Sequence, residues 1–326
     1  MEASEVPVLF LAFNRPDTTA RVMEAIRAAR PQRLYIAADG PRDGQSREAE
    51  RCAEVRGLAT RVDWPCKVRT LFRQSNLGCR QAVSSAITWF FDQESEGIIL
   101  EDDCLPSKSF FPYCAELLTR FRDDQRIMCI TGNNFQRDMN GYPYSYYFSK
   151  YNHIWGWATW RRAWLCYDDT MNLYPKFVDY NSFKALSSSC EFLDYWKGEL
   201  DKVYQRTLDT WDYVWMFSCW ANSGLTCTPR VNLVSNIGFG DDATHCLASN
   251  SNCSNLSRFD IEIPLMHPPL IVSNTDADAY VTENIFNISH SRGSRRSAAL
   301  NTIKSGIRRS LNLIGMSQTG RYRPLT

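Results

Sequence analysis

Five short apolar runs, the first four each followed by a stretch with helical spacing, occupy the first 131 residues and constrain this chain more than any other feature. They are Val8–Phe13, Arg33–Ala38, Val68–Phe72, Gly97–Leu100 and Ile127–Thr131. Each is short and rich in apolar or aromatic residues, and Val8–Phe13 and Gly97–Leu100 have the composition of buried strands. Between them, Val22, Ala25, Ile26 and Ala29 follow a helical period that starts after Pro16, with Asp17 or Thr18 expected as its cap. Further helices are expected from Arg47 to Ala59, around Ala82, Ala86 and Phe90, and from Phe110 to Phe121. Such alternation implies a parallel, doubly wound α/β sheet with right-handed crossovers.

In that architecture ligands lie beyond the carboxyl ends of the strands. The polar residues standing there are Asn14 and Arg15, Asp39, Asn76, and the acidic triplet Glu101-Asp102-Asp103. Three adjacent carboxylates repel one another, so the triplet costs free energy unless a cation or a donor-rich ligand meets it. In an extended chain Glu101 and Asp103 face one way and Asp102 the other. One carboxylate can then hold a hard divalent cation while a neighbour takes hydroxyl groups. The alternative for Asp103 is a helix cap ahead of Phe110. Asn76 and Arg80 open a helix, a place that suits phosphate as well as plain capping.

Composition narrows the class. Among 326 residues a net charge of +1 gives no global attraction to nucleic acid, and none is expected as a partner. Neither GxGxxG nor GxxxxGK[ST] occurs, which argues against dinucleotide oxidoreductases and P-loop NTPases. The first residues lack the basic segment and cleavage site of a signal peptide, and no apolar run reaches membrane-spanning length. The 12 cysteines show no CxxC or zinc-type spacing, so reduced thiols and a cytoplasmic location are expected.

The second half is irregular and rich in Trp and Tyr. Trp155, Gly156, Trp157 and Trp160 form one cluster, either a sugar platform or core. A polar helical stretch, about Ser182 to Tyr204, precedes Trp211-Asp212-Tyr213-Val214-Trp215, and a strand at Val231–Asn236 leads to Gly238–His245. Taken in order, these blocks resemble a GT-A-type nucleotide-sugar glycosyltransferase. The nearest pattern is the mannoside N-acetylglucosaminyltransferase I family with its bacterial relatives. The likeness spans about three quarters of the chain.

That resemblance implies an α/β, GT-A (Rossmann-like) sheet with helices on both faces and a catalytic domain over residues 1–290. Residues 1–135 would bind nucleotide-sugar and 136–290 the acceptor. It implies Arg15 and Asp39 on the base, and Glu101 and Asp102 on ribose and sugar. Asp103 would be the sole protein ligand to Mn2+ or Mg2+. Gly240 and His245, in a loop like the family's, would order over the donor phosphates, and the helix-start reading adds Asn76 and Arg80 to the donor site. Asp212 would act as catalytic base towards an acceptor hydroxyl, with Asp209 as fallback, since the second acid of the family's motif is missing here. The implied reaction is inverting transfer from a UDP-sugar to a glycan or lipid-linked acceptor, in surface polysaccharide synthesis. The alternatives are a sugar-phosphate nucleotidyltransferase, which would want a Gly- and Lys/Arg-rich loop after the first strand, and a carbohydrate-binding protein. Finally, residues 291–326 place Ile303, Ile307, Leu311 and Ile314 at helical spacing beside Lys304, Arg308 and Arg309. That pattern suits an amphipathic helix on an anionic membrane surface, or one packed on protein.

Overall fold

The computed structural model describes residues 2–136, 139, 141–238 and 255–288. Gly240 and His245, and the tail from 291 to 326 with its expected membrane contact, lie outside the described residues. The expected strands and helices form in order: β1 (Val8–Ala12), α1 (Pro16–Ala29), β2 (Arg33–Ala38), α2 (Ser46–Ala59), β3 (Lys67–Phe72), α3 (Cys79–Phe91) and β4 (Glu96–Glu101). There follow β5 (Cys104–Pro106), α4 (Phe110–Arg120), β6 (Ile127–Thr131), β7 (Tyr146–Ser149), β8 (Trp157–Trp160) and α5 (Arg161–Trp164). The chain continues through α6 (Tyr174–Asp179), α7 (Cys190–Tyr204), α8 (Asp212–Ala221), β9 (Leu225–Pro229), β10 (Val234–Asn236) and α9 (Thr275–Asn284).

Eight strands form one sheet in the order β3-β2-β1-β4-β8-β6-β9-β7, and β5 pairs with β10 as a separate antiparallel ribbon. The first four strands are parallel, as alternation requires. The expectation of an all-parallel sheet is corrected beyond β4. There β8 inserts antiparallel, Ile99 opposite Trp157 and Gly97 opposite Thr159, and separates β4 from β6. Strand β8 comes from the Trp-rich segment, whose apolar side chains fit the middle of a sheet as well as a sugar platform. The α1 cap is corrected too: Arg15 holds the N-cap position without a side-chain cap, and Pro16 starts the helix through its fixed φ.

Side chains alternate across the sheet. Val8, Phe10, Leu34, Ile36, Ile98 and Leu100 face a core shared with α1, α2 and α4. Leu9, Leu11, Tyr35, Ala37 and Ile99 face α3, α5 and α8. A third cluster joins α6, α7, α8 and α9 around Tyr151 and Trp196. Trp157 and Trp160 are buried core residues, not an exposed platform. Trp157 lies 5.7 Å from the Trp211 ring and 5.9 Å from Trp215, so β8 fixes the start of α8 from beneath. Burying aromatic rings of this size dominates such packing energetically, at about 3–5 kcal/mol for each ring lost to alanine. No helix among the described residues is long and apolar enough to cross a membrane.

Candidate active site

A cavity of about 600 Å³ opens at the carboxyl ends of β1, β2 and β4. Its walls hold Arg15, Asp39, Asn76, Glu101, Asp102, Asp103, Asp209, Asp212 and Gly238, so residues spread over two hundred positions converge there. Arg80 does not. Its guanidinium is buried and donates to the Asp169 carboxylate and to the carbonyl oxygens of Asp169 and Val203. The expectation of phosphate binding at Arg80 is therefore corrected. On α3, it points away from the cavity and ties this helix to the end of α7.

Each acid of the triplet has a distinct environment. Asp102 is buried and accepts the Phe13 N–H at 3.0 Å, which locks the end of β1 to the end of β4. Burial, then the neighbouring Asp103, pushes its carboxyl up to about 7. Glu101 has a buried Oε1 without a hydrogen-bond partner. Burial, then Asp103, Asp102 and Asp212, holds the Glu101 carboxyl well above the usual carboxylate range. Asp103 accepts from Arg15 Nη1 at 2.9 Å, with both side chains about one-fifth exposed. Its carbonyl takes the Ile237 N–H at 2.8 Å, bringing the end of β10 over the triplet.

This donor set fits a divalent cation. An orphaned buried carboxylate oxygen and crowded negative charge are what such an ion relieves. Among the described residues no group of three or more His, Cys, Asp or Glu side chains is arranged to hold a metal. Among the described residues a cation here would meet few protein oxygens, leaving positions for phosphate and water.

Around the triplet, three loops build the rest. Asp39, half-buried, accepts the backbone N–H groups of Gly40 and Leu77, and burial raises its carboxyl despite those donors. Asn76 donates to the Gly40 carbonyl and accepts from the Gly78 N–H, so it fastens the β2 and β3 loops together while lining the cavity. Asp212 is the first residue of α8 and accepts from the Thr210 hydroxyl. Asp209 sits beside Gly78, across the cavity mouth.

Sequence reading missed several walls. Arg42 and Arg73 line the cavity, and both follow strand ends, where the rule that found Arg15 and Asp39 would have found them too. Phe135, Asn152, His153 and Phe286 close the opposite end. The His153 ring lies 4.6 Å from the Phe135 ring, edge to face, and burial pushes its pKa down to about 3. No local pattern announced these residues, because loops and a distant helix assemble them.

No protein-family model matches the chain, and no curated protein matches it. Solved structures similar to it include a cytidylyltransferase from Leptospira borgpetersenii, at 13% identity and a TM-score of 0.32 over 49% of this chain. This chain spans 62% of that protein. Others are the 4-diphosphocytidyl-2C-methyl-D-erythritol synthase of Anaerococcus prevotii and the inositol-1-phosphate CTP transferase of T. maritima. Their identities are 8% and 9%, with TM-scores of 0.31 and 0.32. They cover 53% and 51% of this chain, which spans 77% and 74% of theirs. These neighbours are named as nucleotide-transferring enzymes and none of them as a glycosyltransferase, so the expectation of glycosyl transfer from a UDP-sugar is corrected: it finds no support among them. Overlap of this extent assigns no activity and no residue roles, which rest on the chemistry of the cavity.

Proposed function

We propose that this protein is a metal-assisted transferase that binds a nucleoside triphosphate and moves the nucleotidyl group to a phosphorylated sugar. One observation carries the reading. The Glu101–Asp103 triplet, with an orphaned buried carboxylate oxygen, faces Arg15 in a cavity that Arg42 and Arg73 also line. A triphosphate brings about four negative charges, and arginine's planar fork suits phosphate oxygens. The three arginines stand in for the basic loop that a nucleotidyltransferase would place after β1, each supplied by a different strand end.

In this reading Asp103, with Glu101, would hold Mn2+ or Mg2+, which would supply Lewis-acid neutralisation of charge on the phosphates. Arg15, Arg42 and Arg73 orient the phosphate chain, and Asp39 and Asn76 shape the end that takes the base. An oxygen of the acceptor phosphate attacks the α-phosphorus. The new phosphoanhydride bond forms as the bond to pyrophosphate breaks, and pyrophosphate leaves with the electron pair. Such an acceptor is already anionic and needs no proton removed. Asp212 then serves as an acidic wall opposite Asp103, near enough to Glu101 to raise its carboxyl.

The test is pyrophosphate release from each nucleoside triphosphate in the presence of Mn2+ and a panel of sugar 1-phosphates. Release that depends on both substrates supports the reading. Asp212→Asn should change it by less than about tenfold, well short of the ~10²–10⁴-fold loss expected of a general base. No pyrophosphate with any pair, or nucleoside diphosphate released from a nucleotide sugar instead, would overturn it.

A further inference from the structure

We propose that Arg15 is a latch on Asp103, which makes cation binding depend on prior or simultaneous binding of a nucleotide phosphate. The proposal rests on the assignment of Asp103 as the cation-holding carboxylate and concerns how access to it is controlled.

Arg15 Nη1 donates to Asp103 Oδ2 at 2.9 Å, and the pair is largely withdrawn from water, with side chains 20% and 17% exposed. A cation on that carboxylate would lie within about 5 Å of the guanidinium. Two positive charges so close repel strongly, and partial burial weakens the screening that would otherwise relieve them. The guanidinium thus occupies the carboxylate and opposes its competitor.

The chain also hems the pair in. A Cβ built on Gly238 would lie 2.3 Å from Asp103 Oδ2 and 2.8 Å from Arg15 Nη1. Gly238 is itself held by its N–H, which donates to Asn236 Oδ1 at 2.8 Å, while Ile237 donates to the Asp103 carbonyl. Backbone from the end of β10 therefore lies directly on the ion pair, and only glycine leaves room there. Among the described residues the cavity is open to Arg15, and there a phosphate would offer its guanidinium two oxygens. A nucleotide phosphate that draws Arg15 away frees Asp103 for the cation. By linkage, the cation then favours the nucleotide equally.

Mn2+ affinity is measured by electron paramagnetic resonance of the free ion, without nucleotide, for the full chain and for the variants Arg15→Met, Arg15→Lys and Asp103→Asn. Circular dichroism verifies that each variant is folded. Arg15→Met should bind Mn2+ about tenfold more tightly than the parent, and Arg15→Lys should stay close to it. With EDTA present, Arg15→Met should bind CTP and UTP more weakly than the parent. If Asp103→Asn lowers Mn2+ affinity but Arg15→Met binds Mn2+ no more tightly than the parent, the latch is wrong and the cation assignment survives. If Asp103→Asn leaves Mn2+ affinity unchanged, the cation assignment itself fails and the latch falls with it.

Discussion

The backbone N–H of Phe13 donates to the Asp102 carboxylate across 3.0 Å, joining the ends of two neighbouring parallel strands. Asp102 thereby serves the frame of the cavity, while Glu101 and Asp103 serve its interior. Asp102→Asn keeps an acceptor for Phe13 and removes a repelling charge, whereas Asp102→Ala leaves a buried N–H without a partner. The alanine variant should be less stable than the asparagine variant by about 1–3 kcal/mol in urea unfolding. Equal stability of the two would show that the bond contributes nothing.

His153 gives the stability a pH dependence. Its pKa falls from 6.5 to about 3 on folding, through burial. The unfolded chain therefore binds the proton more readily than the folded one. The contribution of a neutral His153 is complete above about pH 6.5 and is lost progressively as pH falls towards about 3. Unfolding free energies measured across that window should slope less in a His153→Gln variant than in the parent. Parallel slopes would place the dependence on other groups.

Arg80 is expected to matter for folding alone. Replacing it with alanine removes donors from two carbonyl oxygens and from Asp169, whose side chain is 45% exposed and can turn to water. The cost should be about 1–3 kcal/mol, below that of breaking a fully buried pair. Affinity for CTP and UTP, measured by calorimetry on the folded variant, should stay within about twofold of the parent, since a change of that size is well under 1 kcal/mol. A larger loss would return Arg80 to the ligand.

Two glycines should respond differently to alanine. At Gly40 a Cβ would lie 2.5 Å from the Ser75 backbone, which cannot swing aside. Gly40→Ala should cost about 1–3 kcal/mol through overpacking of the β2 and β3 loops. At Gly238 a Cβ would meet the mobile ends of Asp103 and Arg15, and also Asp103 Cβ at 2.8 Å, which is fixed to the backbone. Gly238→Ala should also cost about 1–3 kcal/mol through overpacking on Asp103 and, unlike Gly40→Ala, alter Mn2+ affinity by displacing the pair. Thermal melts and Mn2+ titrations of both variants separate the two effects.

Much of the cavity end built by the loops after β1, β2, β3 and β4 was legible because strand ends are local. An apolar run names its own end, and Arg15, Asp39, Asn76 and the acidic triplet were read directly from that rule. Arg80 misled because it stands at a helix start, where sequence suggests an anion. Which way a side chain leaves a helix depends on what packs there, and here α7 and Asp169 claim it. The second half yielded less. Trp157 and Trp160 have the composition of a sugar platform, but β8 carries them into the sheet.

The sequence by itself determined the alternation of strand and helix, the edge of the sheet where polar residues gather, and the acidic triplet at the end of β4. These follow from periodicities of 2 and 3.6 and from short-range repulsion, which need no knowledge of distant residues. Tertiary structure alone decided that β8 runs antiparallel beside β4, and that Asp212 comes near enough to Glu101 to act on its carboxyl. It alone decided that Gly238 lies on the Arg15–Asp103 pair. Those contacts join segments more than fifty residues apart. Loop-closure entropy varies so slowly with loop length that spacing in the chain cannot select among such pairings, and packing of the whole core does.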